Sequence, residues 1–360
     1  MFIISAFLII CLLQLYSLAY AGDPVNVELR NSEGTRQDTV RLYKGSYALL
    51  IGVSRYTAGW SSLESVPAEL TKVEEVLREQ GFVVEKCMDP DSEGLTAAFT
   101  DFVNRYGYDP DNRLLFYFSG HGHTRKDGSK GYLVPTDAPN PFREERVFLQ
   151  KALGMNHILS WARDIEAKHA IFLFDSCFSG TIFKQKASPE PPKYITLLTA
   201  EPVRQFITAG TAGESVPAKS VFTPVFIDAL RNGLGDLNKD GYVSGTELGL
   251  YLQENLPKYT DQSPQFGKIK DYELSRGDFV FLIGSHGEGD DQVGSQNGPP
   301  QQQVTAPSST VTLVGDGLDS NDKKSNSAKR TVVGGPGFVH PDSRQPSDDD
   351  EGGGFIRRKK

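Results

Sequence analysis

Two polar segments, Ser119-Gly120-His121-Gly122-His123 and Asp175-Ser176-Cys177-Phe178-Ser179-Gly180, carry an imidazole and a thiol that together can do nucleophilic chemistry. A cysteine attacks a carbonyl as its thiolate, so it needs a partner that takes the thiol proton and later returns it, and donors for the oxyanion that forms. His121 suits the acid and base role, Cys177 the nucleophile, and the backbone N–H groups of Gly122 and Cys177 the oxyanion donors, since glycine permits close approach. Taken singly, a buried cysteine and a histidine satisfied by backbone are the ordinary readings. Their common setting, a Gly- and Ser-rich turn after a short apolar run, makes the pair a candidate site. His123 reads as a loop histidine, because no carboxylate or third ligand stands at suitable spacing near it.

The apolar runs position the pair. Arg113-Leu-Leu-Phe-Tyr-Phe-Ser119 and Ala170-Ile-Phe-Leu-Phe174 are too short for helices and rich in aromatic or β-branched residues, so both are predicted as buried parallel strands. In an open α/β sheet, reactive groups collect in the crevice at the carboxyl ends of strands, which brings His121 and Cys177 together. Around them, strands are predicted at 48–53 and 82–86. Helices are predicted at 66–79, at 95–106 and, with Asn156 as N-cap, at 157–167. Val66, Leu70, Val73 and Leu77 form one stripe of the first helix. Further strands are expected at 194–198 and 279–283, and helices at 221–231 and 247–256. The alternation implies an α/β fold, a mostly parallel sheet with helices on both faces.

Composition bounds the partners. The 360 residues carry a net charge of -8, and no basic face stands out in the folded part, which argues against nucleic acid. Residues 1–21 hold no charged side chain and end in Ala19-Tyr20-Ala21, which reads as a secretory signal peptide and a secreted or periplasmic location, with no stable membrane span after cleavage. The alternative is an uncleaved anchor. Beyond Cys11, only Cys87 and Cys177 remain, so at most one disulfide can form and a thiol kept for chemistry is compatible with export. Residues 22–285 are expected to form one domain, and 286–360, with Gly298-Pro-Pro-Gln-Gln-Gln303 and Ser347-Asp-Asp-Asp-Glu351, a disordered low-complexity tail.

The segment Asp236-Leu-Asn-Lys-Asp-Gly-Tyr-Val-Ser-Gly-Thr-Glu247 fits a calcium-loop template. Asp236, Asn238, Asp240 and Ser244 supply oxygens at the first, third, fifth and ninth places, the Tyr242 carbonyl the seventh, Glu247 the twelfth, with Gly241 at the sixth. Calcium is the candidate ion, although the dyad chemistry requires no cofactor. The alternative is a turn and helix cap held by its own side chains.

Phe118-Ser-Gly-His-Gly122 and Asp175-Ser-Cys-Phe-Ser-Gly180, with Ala48-Leu-Leu-Ile-Gly52 and Gly131-Tyr-Leu-Val-Pro-Thr-Asp137, resemble motifs of the caspase family, in particular of bacterial metacaspase-like peptidases. The resemblance runs from about Tyr43 to Ile283 and implies a caspase-haemoglobinase fold with His121 and Cys177 as the dyad. The Gln-Ala-Cys-x-Gly signature of caspases is absent, so cleavage after aspartate is not implied. In metacaspases the residue matching Asp175 helps line a pocket for Arg or Lys, and a carboxylate there would hold a basic P1 side chain (the residue before the scissile bond) by a charge-assisted bond. Phe178 stands where metacaspases often carry histidine. The bases Lys184, Lys186, Lys193, Arg204 and Lys219 mark a linker that such an enzyme could cut in itself. The expectation is an exported cysteine endopeptidase acting on protein or peptide substrates after Arg or Lys. The competing reading is a non-catalytic calcium- or partner-binding module on the same fold.

Overall fold

The computed structural model describes residues 24–30, 36–125, 128, 130–177, 200–211, 214 and 219–283. All lie in one compact unit within residues 1–291. The predicted signal peptide, the tail from 286 and the strand at 194–198 lie outside the described residues.

The apolar runs build one six-stranded sheet. Its strands are β3 (Gly45–Gly52), β4 (Val83–Met88), β5 (Asn112–Ser119), β9 (His169–Cys177), β10 (Val203–Gly210) and β12 (Gln265–Lys268), in the spatial order β12-β10-β9-β5-β3-β4. Five run parallel, and β12 joins β10 antiparallel at one edge. All eight residues of β5 are buried, as expected of a strand covered on both faces. Two antiparallel pairs stand apart, β1 (Val25–Arg30) with β2 (Arg36–Tyr43) and β11 (Tyr242–Ser244) with β13 (Val280–Leu282). The run at 279–283 thus belongs to a two-stranded ladder outside the main sheet.

Period-2 alternation sends the strand residues into two cores. On one face Leu50, Leu115, Tyr117, Leu173 and Ile207 meet helices α1 (Val66–Glu79), α5 (Phe222–Arg231) and α6 (Gly245–Asn255). On the other, Leu49, Phe116, Phe172 and Phe206 meet α2 (Ser92–Tyr106) and α4 (Met155–Asp164). Phe116 stacks on Phe172 at 4.5 Å and Phe172 on Phe206 at 4.8 Å, a ladder of rings across β5, β9 and β10 that fixes their register. Burying each such ring contributes about 1.5–3 kcal/mol. All four residues of the predicted α1 stripe are buried.

Three local outcomes differ from the sequence expectation. Helix α4 begins at Met155 with Gly154 as its N-cap, so Asn156 lies inside the first turn, and the chain leaves the helix at Ile165. Strand β9 continues past Phe174 to Cys177, because Asp175 still pairs with Ser119 and Cys177 with Gly210. Arg204 is no linker base: it is buried within β10, its guanidinium donating to the carbonyls of Ala162, Ile165, Lys168 and Val203. A helix the alternation did not reveal, α3 (Pro141–Lys151), and a small antiparallel sheet of β6 (Gly122–Thr124), β7 (Gly131–Leu133) and β8 (Leu153–Gly154) follow β5.

Candidate active site

His121 is set by the turn after β5. A Cβ on Gly120 would approach the Phe118 ring and the Tyr56 hydroxyl at 3.0 Å, so glycine is what lets the chain turn there. The His121 N–H donates to Tyr56 Oη at 2.7 Å, and its carbonyl accepts from Val134 N at 3.1 Å. The backbone is therefore held from both sides. His121 Nε2 lies 2.9 Å from the Ser61 carbonyl oxygen and 3.3 Å from Ser61 Oγ. A carbonyl can only accept, so Nε2 carries the hydrogen and Nδ1 keeps its lone pair. Burial lowers the imidazole below its ordinary value, while the bond to Ser61 works against that shift. The ring is thus a neutral base with its orientation fixed.

The loop that presents Ser61 is itself anchored. The N–H groups of Ser54 and Arg55 donate to Asp89 Oδ1 at 2.6 and 3.0 Å, Leu63 N donates to Ser54 O at 2.8 Å, and Trp60 Nε1 donates to Ala138 O at 3.0 Å. Tyr56 and Trp60 then flank the His121 ring at centroid distances of 4.8 and 5.2 Å.

Cys177 closes β9, the strand beside β5, and the structure describes its backbone alone. Opposite β9, Thr208 faces Phe174 and Gly210 faces Cys177, so three steps on β9 match two on β10. That irregularity is a bulge, a device that re-aims side chains at a strand end. The topology brings the His121 and Cys177 strand ends to neighbouring positions on one edge of the sheet. Gly122, half-buried, opens β6 directly after His121. Cys87 is free and sits on edge strand β4. Strands β5 and β3 separate it from β9, about 14 Å across three strand spacings, too far for the alternative Cys87–Cys177 bridge.

Asp175 is buried against α5. Its Oδ2 accepts from Thr223 Oγ1 at 3.2 Å and Ser119 Oγ at 3.4 Å. Burial, with Glu69 adding to it, pushes this carboxyl up to about 6. Glu69, from the first turn of α1, accepts Ser220 N at 2.8 Å through Oε1, whereas its buried Oε2 has no hydrogen-bond partner. Two buried carboxylates thus share one region at the end of β9. Among the described residues no ion pair with Lys or Arg joins either of them. Sequence reasoning missed Glu69, Ser61 and Tyr56. The first had a signal: Val66, Glu69, Val73 and Val76 fall on one buried face of α1, where an acid stands out.

The 236–247 loop lies elsewhere, between α5 and α6. Asp236 accepts Asp240 N and Gly241 N at 3.1 and 3.0 Å, Asn238 Oδ1 accepts Asp240 N at 2.9 Å, and Asp240 Oδ1 accepts Tyr242 N at 3.0 Å. Glu247 accepts Asn238 N and Ser244 N at 3.2 and 2.9 Å, and the Ser244 side chain accepts Glu247 N at 3.1 Å, a reciprocal helix cap. Gly241 takes φ +90°, which the sixth place of the template requires. The loop therefore gathers its acidic residues on its own N–H groups, and among the described residues no set of three or more His, Cys, Asp or Glu is arranged to hold a metal.

The family model described as the caspase domain matches residues 46–311, and the chain belongs to that family. Among curated proteins it is 30% identical over 154 residues to the mucosa-associated lymphoid tissue lymphoma translocation protein 1 homolog of Mus musculus. It is 28% identical over 161 residues to the Homo sapiens protein of that name. These matches cover 41% and 43% of this chain and 16% and 17% of those proteins, so it spans about a sixth of their length. A crystal structure of a protein from Geobacter sulfurreducens aligns with TM-score 0.45 and 17% identity over 66% of this chain and 99% of that one. Among the described residues no helix is long and apolar enough to cross a membrane.

Proposed function

We propose that this caspase-family protein is an exported cysteine endopeptidase that hydrolyses peptide bonds after Arg or Lys, with Cys177 as nucleophile and His121 as acid and base. The observation that carries the reading is the His121 tautomer: the Ser61 carbonyl holds the proton on Nε2 and leaves Nδ1 as the base. Nδ1 takes the Cys177 thiol proton as sulfur bonds to the substrate carbonyl carbon, and the Nε2–H bond to Ser61 strengthens as the ring becomes cationic. The backbone N–H groups of Gly122 and Cys177 receive the oxyanion. Nδ1–H then protonates the leaving amine as the C–N bond breaks, giving a thioester. Water, deprotonated by Nδ1, attacks that thioester and returns the thiol.

Asp175 and Glu69 select the P1 residue in this reading. Two buried carboxylates without a cation repel each other, and a guanidinium or ammonium from the substrate relieves that repulsion while giving Glu69 Oε2 a donor. The calcium reading of the 236–247 loop rests on its spacing, and no step of the reaction runs through it.

The test is turnover of coumarin amides carrying Arg, Lys or Asp at P1 by the full chain and by Cys177→Ala. Arg and Lys substrates cleaved only by the unaltered protein support the reading. An active Cys177→Ala variant, preference for Asp, or no turnover of any substrate by the folded protein overturns it.

A further inference from the structure

Beside His121 the structure lays out a row of aromatic rings that begins in the loop after β3, the loop whose Ser61 carbonyl holds His121 Nε2. The sheet order places β9, then β5, then β3, so a line drawn from Cys177 through His121 continues over the loop that follows β3. Trp60 of that loop flanks His121 at 5.2 Å. Next comes His123, 6.5 Å from Trp60 and edge-on to it, and then Phe142, 6.0 Å from His123 and again edge-on. Phe148, buried beneath, backs both Trp60 at 6.3 Å and His123 at 5.1 Å.

The outer rings are fixed yet exposed. Phe142 is 76% exposed, the greatest exposure of any large apolar side chain among the described residues. It is no frayed terminus, for Pro141 opens α3 and the Asn140 side chain accepts the Phe142 N–H at 3.0 Å. Trp60 is half-buried, with its indole N–H bound to Ala138 O. The Phe142 backbone is held by the Asn140 cap, and its ring continues the row from the anchored tryptophan through His123, so covering it costs less entropy than ordering a free segment would. It is also the kind of exposed apolar surface that marks a contact site.

We infer that this row is the subsite for the segment after the scissile bond, and that it takes a large apolar or aromatic residue within the first three positions of that segment. The inference rests on the peptidase reading above. In that reaction the acyl half of the substrate is bonded at Cys177 and the amine half departs past His121, so the leaving segment runs towards Trp60 and Phe142. An extended peptide advances about 3.3 Å per residue, so the first three residues run about 10 Å, past Trp60 and close to His123, and a large side chain at their end is needed to reach Phe142. Burial lowers the His123 imidazole below its ordinary value, so at neutral pH it serves as one more flat, uncharged ring.

Internally quenched peptides of constant non-primed sequence with Arg at P1, carrying Phe or Ser in turn at each of the three following positions, test this. The expected result is a Phe-to-Ser ratio of kcat/KM of about tenfold at one position or more, the range for partial apolar burial. Phe142→Ala should lower that ratio at least threefold. Because the ratio is taken within one preparation, it is independent of how much enzyme is folded. A ratio near one throughout, or one unmoved by Phe142→Ala, overturns the subsite while leaving the peptidase reading intact. An Arg coumarin amide, which has no residue beyond P1, tests the peptidase reading by itself; if the unaltered protein does not cleave it, both fall.

Discussion

The Ser61 carbonyl accepts His121 Nε2–H at 2.9 Å, so a main-chain atom of the loop after β3 sets the tautomer of the histidine in the turn after β5. Such a contact would stabilise the imidazolium of the proposed reaction, and the loop from Ser54 to Leu63 is tied down around it. Replacing His121 by Ala should lower kcat/KM for an Arg substrate by about 10²–10⁴-fold, the usual worth of a positioned acid and base. Circular dichroism should remain native, since the ring is only half-buried. A variant within tenfold of the unaltered protein would remove His121 from the reaction.

Tyr56 has two roles, accepting the His121 N–H and packing against the ring. Tyr56→Phe keeps the packing but leaves that N–H without its acceptor. The expected cost is about 1–3 kcal/mol of stability in a denaturant titration. A several-fold loss of kcat should accompany it, because the backbone that aims Nδ1 is released. Unchanged stability would show that the bond to Tyr56 contributes nothing.

The carboxylate pair predicts a trade between selectivity and stability. The Asp175 carboxyl is at about 6 in the fold against an ordinary 3.8, so the native state holds its proton more tightly than the unfolded chain does. Sign follows from linkage: this group weakens the fold progressively as pH rises from about 4 through about 6, by about 3 kcal/mol once ionised. Asp175→Asn should therefore raise the thermal midpoint at pH 8 and raise it less at pH 5. The same change, like Glu69→Gln, should cost about tenfold to a hundredfold in kcat/KM for Arg through a lost charge-assisted bond. A midpoint gain independent of pH would contradict the assignment.

The pH dependence of selectivity isolates the same carboxyl. Ionised Asp175 attracts a guanidinium, whereas the protonated form does not. The ratio of kcat/KM for Arg over citrulline at P1 should rise as pH passes upward through about 6. Titration of His121 enters both substrates equally and cancels. A flat ratio from pH 5 to 8 would place P1 recognition elsewhere.

What the sequence carried and what it concealed divide along physical lines. Strands β3, β5 and β9 were legible because strands buried on both faces must be unbroken apolar runs, and the adjacency of His121 and Cys177 followed from parallel pairing. Ser61 was not, because a backbone carbonyl has no side-chain signature. Glu69 hid as a first-turn acid, a placement the helix dipole favours in any case. Helix α3 was missed because Pro141-Phe-Arg-Glu-Glu-Arg146 is mostly charged and Glu144 breaks its helical geometry with φ -139° and ψ 58°. Arg204 read as a linker base, yet it is buried like Arg113, and both guanidinium groups donate to main-chain carbonyls. Only the tertiary fold brings those carbonyls there.

The 236–247 loop separates two stabilities that one chelation experiment can read. Its side-chain oxygens accept its own N–H groups, so the loop and the start of α6 should persist in chelator, with a thermal midpoint that Ser244→Ala lowers by removing the acceptor of the Glu247 N–H. The cap is worth about 0.5–2 kcal/mol. Calcium, proposed from the oxygen spacing, should raise the midpoint further at millimolar concentration, by an increment that grows with the logarithm of free calcium. Asp240→Ala should abolish that increment, since the fifth-place oxygen is then missing, while lowering stability in chelator by only about 1 kcal/mol for the exposed hydrogen bond from Tyr242 N that it loses. An increment that survives Asp240→Ala would place calcium at another site, and no increment at all would leave the loop as a turn and helix cap.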